Sequence, residues 1–260
     1  MPVSTDPVKI NELLTRGVEQ IYPTREHLEQ RLNSGEALSL YVGYDPTGPS
    51  LHIGHGITLL KLGQFQDLGH KVIMLIGDFT AMIGDPTDKS ATRSQLSREQ
   101  VIENCREYQR QASAILNFEG ENPAELRYNS EWLAKMSFAD VLELASHFTV
   151  PRLLERDMFQ ERIKQGKTIH LHEFLYPIMQ GYDSVAMNVD GEAGGNDQTF
   201  NMLAGRTLMK ELKNKEKFVL STKLLADTSG KKMGKTEGNM ISLDDEPEDM
   251  FGKVMSWTDE

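Results

Sequence analysis

The strongest constraint on the fold is a strand–turn–helix–strand pattern in the first third of the chain. Its parts are an apolar run at 37–44, turn residues at 45–50, a helical pattern at 57–68 closed by a glycine, and an apolar run at 71–76. Short apolar runs bounded by turn residues predict buried strands, and the intervening periodicity predicts a helix. A unit of this kind implies neighbouring parallel strands joined by a helical crossover.

The rest of the chain continues this alternation less regularly. The patterns predict helices at 97–115, 138–146, 157–165 and 199–213, and strands near 124–128, 185–190 and 217–221. The stretch from about 130 to 180 is mostly helical and interrupts the alternation. We therefore predict an α/β fold: a doubly wound, Rossmann-like parallel sheet with a mostly helical insertion.

The two ends of the chain predict separate regions. Residues 8–33 are charged, with apolar residues at helical spacing, which predicts a surface arm packing one stripe. The tail from Asp244 is acidic and has no clear stop. We expect a helical arm at 1–34, a Rossmann-like main domain at 35–225 with the helical insertion at about 130–180, and at 226–260 a loop and the start of a C-terminal region cut off in mid-domain.

Composition restricts the classes of partner. The 260 residues carry a formal net charge of −11, which argues against a general basic surface for nucleic acid but leaves room for a local basic patch. The single cysteine, Cys105, cannot form an internal disulfide, and this fits a reducing, cytoplasmic setting. No stretch has the pattern of a signal peptide or of a membrane span.

The first candidate site lies at the junction between the turn and the first predicted crossover helix. His52 and His55 are three residues apart at the helix start, with Gly54 between them. A helix N-terminus beyond the carboxyl end of a strand suits a phosphate, and glycine permits close approach. The pair alone is equally compatible with helix capping, while a metal site lacks a third ligand nearby.

The second candidate site is a loop rich in glycine and lysine near the other end. Lys232 and Lys235 lie among glycines at 230, 234 and 238. A mobile loop with two lysines suits a polyphosphate whose charge is neutralised during reaction and then released. A solvated basic loop is the alternative for this segment taken alone.

The third candidate site is a helical segment at 175–183. Tyr176, Gln180 and Asp183 lie at i, i+4 and i+7 and share one face, whereas their neighbours are apolar. A polar surface stripe is the simple alternative. Buried polar groups need partners, however, and a bound amino acid would supply them.

Together these segments resemble one family. Residues 41–55 resemble the GxDPTxxSLHIGH signature of class I aminoacyl-tRNA synthetases, and 232–236 (KMGKT) resembles their KMSKS loop with Gly234 and Thr236 in place of serines. In detail, the chain resembles the catalytic part of the bacterial-type tyrosyl branch. The 194–198 segment (GGNDQ) resembles that family's GGxDQ segment.

The resemblance implies a set of roles. On the amino-acid side, the implied contacts to tyrosine are Tyr41 and Asp183 at the phenol, Tyr176, Gln180 and Asp85 at the ammonium, and Asn129 and Gln198 nearby. Implied catalytic residues are Thr47, His52, His55, Lys232, Lys235 and Thr236. Implied ATP contacts are Gly43, Asp45, Gly54, Gly194, Asp197 and Met233. Lys89 and Arg93 match loop positions that approach phosphate. No resident metal is implied; Mg²⁺ accompanies ATP.

The implied reaction is activation of tyrosine by ATP followed by transfer to tRNA(Tyr). The family also implies a homodimer formed through the helical insertion, with no membrane partner. Whole enzymes carry an anticodon-binding region that this sequence lacks, so we expect the fragment to form the adenylate but to charge tRNA weakly. Rival interpretations are a tryptophanyl enzyme, another small-molecule nucleotidyltransferase, and a paralogue that only binds RNA or protein.

Overall fold

A single mixed sheet organises the chain. The computed structural model describes residues 2–86, 96–226, 233 and 240–257. Within these ranges the sheet has six strands in the order β1-β6-β5-β2-β3-β4. The strands are β1 (Val18–Tyr22), β2 (Ser39–Tyr44), β3 (Lys71–Ile76), β4 (Glu125–Tyr128), β5 (Gly191–Gly195) and β6 (Phe218–Thr222).

Helices cover the sheet and form the insertion. Those before β4 are α1 (Pro7–Thr15), α2 (Arg25–Asn33), α3 (Ile53–Asp67), α4 (Thr80–Ile83), α5 (Arg98–Cys105) and α6 (Tyr108–Ala112). Those after β4 are α7 (Ser130–Leu133), α8 (Phe138–Ser146), α9 (Val150–Leu154), α10 (Asp157–Lys164), α11 (Leu171–Met187), α12 (Thr199–Lys213) and α13 (Pro247–Met255). The helix predicted at 97–115 is therefore two shorter helices. None of the helices within the described ranges is long and apolar enough to cross a bilayer.

The predicted βαβ unit is confirmed. Strands β2 and β3 pair in parallel, in register from Ser39 opposite Lys71 to Tyr44 opposite Ile76. Helix α3 begins at Ile53, earlier than the apolar periodicity indicates, because His52 serves as its N-cap. Apolar residues of both strands pack against this helix in the main core, which includes Leu40, Val42, Met74, Leu59, Leu62 and Phe65.

The prediction that residues 8–33 form a helical arm is wrong between α1 and α2, where a strand interrupts the helices. Helix α1 ends at Thr15, and Gly17 then adopts a φ of 67°, a conformation that glycine accommodates without strain. Strand β1 follows and pairs antiparallel with β6, so the sheet is parallel except at this edge. Helix α2 restarts after Thr24, whose hydroxyl accepts from the backbone N–H of His27.

The strand predicted at 185–190 is also misplaced. Helix α11 continues to Met187, and strand β5 begins only at Gly191. This strand is glycine-rich and has little intrinsic strand propensity. It forms because it fits tightly between β2 and β6: a Cβ on Gly191 would lie 2.0 Å from Cζ of Phe218.

Candidate active site

The predicted site residues gather at the carboxyl edge of the parallel strands. Asp45 directly follows β2, Asn129 directly follows β4, and Asp197 lies just beyond β5. Parallel strands end at the same edge, which is where open α/β sheets bind ligands. Helix α11 carries Tyr176, Gln180 and Asp183 across this edge, where Tyr176 contacts Asp45 and Asp183 contacts Asn129.

The two histidines meet at the start of α3, as the spacing predicts. Their rings stack with centroids 3.8 Å apart and planes 24° from parallel. The backbone N–H of His52 donates to Nδ1 of His55 at 3.1 Å. A Cβ on Gly54 would lie 2.9 Å from the His52 ring, so glycine is needed here. The arrangement directs two imidazoles and a helix N-terminus to one place, which suits an anion.

The segment after the lysine loop pairs directly with the histidine segment. The backbone N–H of Ile53 donates to the carbonyl of Ile241 at 3.0 Å, and that of Leu243 donates to the carbonyl of Leu51 at 2.9 Å. Met233 is buried and its N–H donates to the carbonyl of Leu225 at 2.8 Å. The segment that follows the lysine loop in sequence is thus a neighbour of the histidine segment in the fold. Lys232, Lys235 and Thr236, like Lys89 and Arg93, lie outside the described residues.

Asp183 is held as a buried hydrogen-bond acceptor. Trp132 donates from Nε1 to one carboxyl oxygen at 2.7 Å, and Asn129 donates from Nδ2 to the other at 3.4 Å. Burial raises the pKa of Asp183 well above its usual range, and the two donors oppose that shift. Asn129 is itself fixed, because its side-chain oxygen accepts from the backbone N–H of Phe79.

Asp45 bridges the two halves of the site. The hydroxyl of Thr80 donates to one of its oxygens at 2.7 Å, and the hydroxyl of Tyr176 donates to the other at 2.8 Å. Burial raises the pKa of Asp45 to about 7, although both hydrogen bonds lower it. Asp45 was predicted beside ATP and Tyr176 beside the amino acid, so this contact lies between the two predicted subsites.

Tyr41 is fully buried on β2 and faces α11. Its hydroxyl lies 3.0 Å from Oγ of Ser184 and 3.4 Å from the carbonyl oxygen of Gln180. Burial, followed by the charges of Glu192 and Asp183, raises the pKa of Tyr41 well above the usual range of a phenol. The hydroxyl therefore keeps its proton at neutral pH.

Gln198 and Asp85 also come together, as the resemblance implies. Nε2 of Gln198 donates to Asp85 at 2.7 Å, and its oxygen accepts from Asn201 at 2.9 Å. Arg156, which no motif marked, places a guanidinium nitrogen 3.6 Å from the other Asp85 oxygen. Burial lowers the pKa of Arg156, while the carboxyl of Asp85 raises it.

The residues predicted beside the nucleotide differ in the space around them: some have free space, and others are tightly packed. Gly43 is exposed, with nothing within 4 Å of an added Cβ, and Thr47 is exposed as well. A Cβ on Gly194 would lie 2.9 Å from Sδ of Met202. One on the next glycine would lie 2.6 Å from a carboxyl oxygen of Asp197. Their contacts with ATP remain predictions.

Several residues in these networks carry no motif. Trp132, Thr80 and Ser184 are identified only by the side chains they contact. Within the described ranges no group of three or more His, Cys, Asp or Glu side chains is placed to hold a metal ion.

Comparisons with known proteins agree on one family. The family model described as tRNA synthetases class I (W and Y) matches residues 33–260. The tyrosine–tRNA ligase of Carboxydothermus hydrogenoformans is 51% identical over 254 residues, covering 95% of this chain and 61% of that protein. The ligase of Legionella pneumophila subsp. pneumophila is 50% identical over 248 residues with the same coverage. The chain thus spans about 61% of the length of these relatives.

A solved structure shares the fold over nearly the whole chain. The tyrosyl-tRNA synthetase of Archaeoglobus fulgidus, complexed with L-tyrosine, superposes with a TM-score of 0.76 at 26% identity. The match covers 97% of this chain and 75% of that one. Fold, signature segments and sequence similarity all lead to the same assignment: this chain belongs to the class I tRNA synthetases of the tryptophan and tyrosine branch.

Proposed function

We propose that this chain is the catalytic part of a tyrosine–tRNA ligase. It activates L-tyrosine with ATP to give tyrosyl-adenylate and pyrophosphate, and the whole protein then transfers the tyrosine to the 3′ end of tRNA(Tyr). The observation that carries the proposal is the buried Asp183 carboxyl, which Trp132 and Asn129 hold as an acceptor. The names of relatives about 50% identical support the same amino acid.

The pocket selects tyrosine because it contains buried polar groups that pair with the phenolic hydroxyl. Asp183 accepts from the substrate phenol, and Tyr41 supplies the second contact. A ligand without the hydroxyl leaves part of the hydrogen-bonding capacity of these buried groups unused, which costs more than the contact itself gains. The substrate ammonium is bound by Tyr176, Gln180 and Asp85.

Adenylate formation relies on positioning and charge stabilisation. The tyrosine carboxylate attacks the α-phosphorus of ATP, and pyrophosphate leaves. Thr47 and His52 hydrogen-bond the phosphates at the helix start, and His55 supports the nucleotide end. Lys232, Lys235 and Thr236 close over the pyrophosphate. Gly43, Gly54, Gly194, Asp197 and Met233 surround the nucleotide. Mg²⁺ enters with ATP, bound by phosphate oxygens and water, which are the ligands it prefers.

The assembly and setting are part of the same proposal. We propose a cytoplasmic homodimer formed through the helical insertion. The exposed apolar residues of that region support it: Phe138 is 77% exposed, and Leu142 and Val150 are 57% and 65% exposed. Burying such side chains on association is favourable.

A tryptophanyl enzyme is the second candidate, because the family model spans both amino acids. The pair of Tyr41 and Asp183 favours tyrosine, because a phenolic hydroxyl can both accept and donate a hydrogen bond, whereas the indole N–H of tryptophan only donates. ATP–pyrophosphate exchange by the chain, assayed with each of the twenty amino acids, separates the two. We expect exchange that depends on tyrosine; exchange that depends on tryptophan would refute the assignment.

Two variants then test the two halves of the site. Asp183→Ala is expected to raise the KM for tyrosine strongly, whereas Lys235→Ala slows adenylate formation with little change in tyrosine binding. Asp67→Ala and Lys135→Ala, at exposed positions, are the matched controls. Near-normal exchange by Lys235→Ala would remove the loop from the mechanism.

A further inference from the structure

A buried ion pair lies directly behind the proposed amino-acid pocket. Lys217, the residue before β6, and Glu192 of β5 are 0% and 1% exposed, and the Lys217 ammonium contacts a carboxyl oxygen of Glu192. Burying two charges is costly, so such a pair is weak evidence for stability. Its contacts with residues of the pocket indicate instead that it orients those residues.

The Lys217 ammonium donates its three hydrogens to three different acceptors. Besides Glu192, Nζ donates to Oγ of Ser184 at 2.7 Å and to the carbonyl of Met202 at 3.2 Å. An ammonium has three N–H groups and no lone pair. Ser184 must therefore accept from Lys217, and its own hydroxyl hydrogen points elsewhere.

That hydrogen has a partner at Tyr41. The Ser184 and Tyr41 oxygens are 3.0 Å apart, so Ser184 can donate to Tyr41. The Tyr41 hydrogen then points away from Ser184. Within the described structure it can reach the carbonyl of Gln180 at 3.4 Å, which is a long bond, and the Glu192 carboxylate, whose two oxygens already accept from Lys217 and Gln180. A closer oxygen of a bound ligand would replace these weak contacts.

We propose that Lys217, acting through Ser184, is a positioning residue that holds Tyr41 as a hydrogen-bond donor toward the bound amino acid. Asp183 on the same helix as Ser184 is an acceptor. A pocket that offers one donor and one acceptor matches a phenolic hydroxyl, which both accepts and donates. The inference deepens the proposed function and rests on it.

The same ion pair orients a second recognition group. The other oxygen of Glu192 accepts from Nε2 of Gln180 at 3.0 Å. A carboxylate only accepts, so Gln180 must present its NH2 to Glu192 and keep its amide oxygen available. That oxygen is the group an ammonium requires.

Ser184→Ala tests the relay. It removes the link between Lys217 and Tyr41 while leaving the ion pair in place. In pyrophosphate exchange we expect the KM for tyrosine to rise about tenfold with little change in kcat, while kcat/KM for phenylalanine stays constant. Tyrosine-over-phenylalanine selectivity therefore falls about tenfold. Ser221→Ala is the control, because Ser221 is equally buried but donates to the carbonyl of Gln20, away from the pocket.

The double variant Lys217→Met with Glu192→Gln provides an independent test. It removes both charges together and keeps an acceptor for Gln180, so the same loss of selectivity is expected. Thermal unfolding checks that each variant is folded.

A selectivity within twofold of wild type in a folded variant would overturn the relay, and so would equal losses for both amino acids. If the wild-type chain showed no tyrosine-dependent exchange, the proposed function would fall and this inference with it.

Discussion

Asp45 shows how a single side chain can serve both structure and site. It follows β2 immediately, and its two oxygens accept from Thr80 and Tyr176. The backbone at Gly77 also lies close to the carboxyl of Asp45, because a Cβ on Gly77 would lie 1.9 Å from one of these oxygens. A carboxyl so enclosed exchanges water for only two hydroxyl donors, which explains why burial dominates its pKa.

The pKa of about 7 for Asp45 makes stability depend on pH. The folded state retains a proton that the unfolded chain, with an ordinary pKa of 3.8, has already lost. The stabilisation is complete below about pH 3.8 and is lost as the pH rises through 7. Between pH 6 and 8, this group should lower the free energy of unfolding by about 1.4 kcal/mol.

Urea unfolding of Asp45→Asn and wild type at the two pH values measures this effect as a difference of differences. The wild type should lose stability relative to the variant on going from pH 6 to 8. The exposed Asp67→Asn on α3 serves as control. A pH-independent difference between Asp45→Asn and wild type would contradict the assignment.

At the scale of elements, local patterns predict some segments to the residue and fail at others. The bounds of β3, α8 and α12 are those predicted. Each of these segments has an apolar run or a helical periodicity that matches the face it buries. Strands β1 and β5 are decided by their neighbours instead. Strand β1, with the polar Glu19 and Gln20 in its middle, forms by pairing with β6. The glycine-rich β5 forms because only glycine fits beside Phe218.

The candidate site divides in the same way. Tyr41, Asp183 and Asn129 were identified through motifs, and the structure brings the last two into contact. Trp132 and Lys217 were not, since their roles arise only from contacts between segments distant in sequence. Lys217 begins the strand predicted at 217–221 but follows a run of charged residues, and nothing in the local sequence indicates that its ammonium is buried.

The contact between α11 and α12 provides a test at this scale. An added Cβ at Gly181 would lie 3.0 Å from the backbone nitrogen of Gly205. Backbone cannot move as a side-chain end can, so Gly181→Ala should destabilise the fold by about 1–3 kcal/mol. Urea unfolding measures the change.

Gly63→Ala is the matched control within another helix. There the new Cβ would lie 3.5 Å from Cγ2 of Ile115, an ordinary contact. The higher helix propensity of alanine should leave this variant unchanged or more stable by up to about 1 kcal/mol. Equal effects of the two substitutions would show that helix propensity, and not interhelix distance, decides the outcome.

At the scale of the whole molecule, one glutamine joins three distant stretches. Gln111 on α6 accepts from the buried backbone N–H of Leu51 at 2.7 Å, just before the histidine pair. Its NH2 donates to Asp244, in the segment that follows the lysine loop. Arg110 reaches the same carboxylate at 2.7 Å. The N-terminal edge of α3 and the return from the loop are therefore fixed to a common support.

Removing this support should affect stability and nucleotide binding together. Gln111→Leu keeps similar volume but leaves the Leu51 N–H buried without its acceptor, which costs about 1–3 kcal/mol in the free energy of unfolding. Because His52 is the next residue, the KM for ATP in pyrophosphate exchange should also rise several-fold. Gln109→Leu, at an exposed position of the same helix, should change stability by less than about 0.5 kcal/mol. A Gln111→Leu protein that is destabilised yet retains the wild-type KM for ATP would separate the support from the nucleotide half of the site.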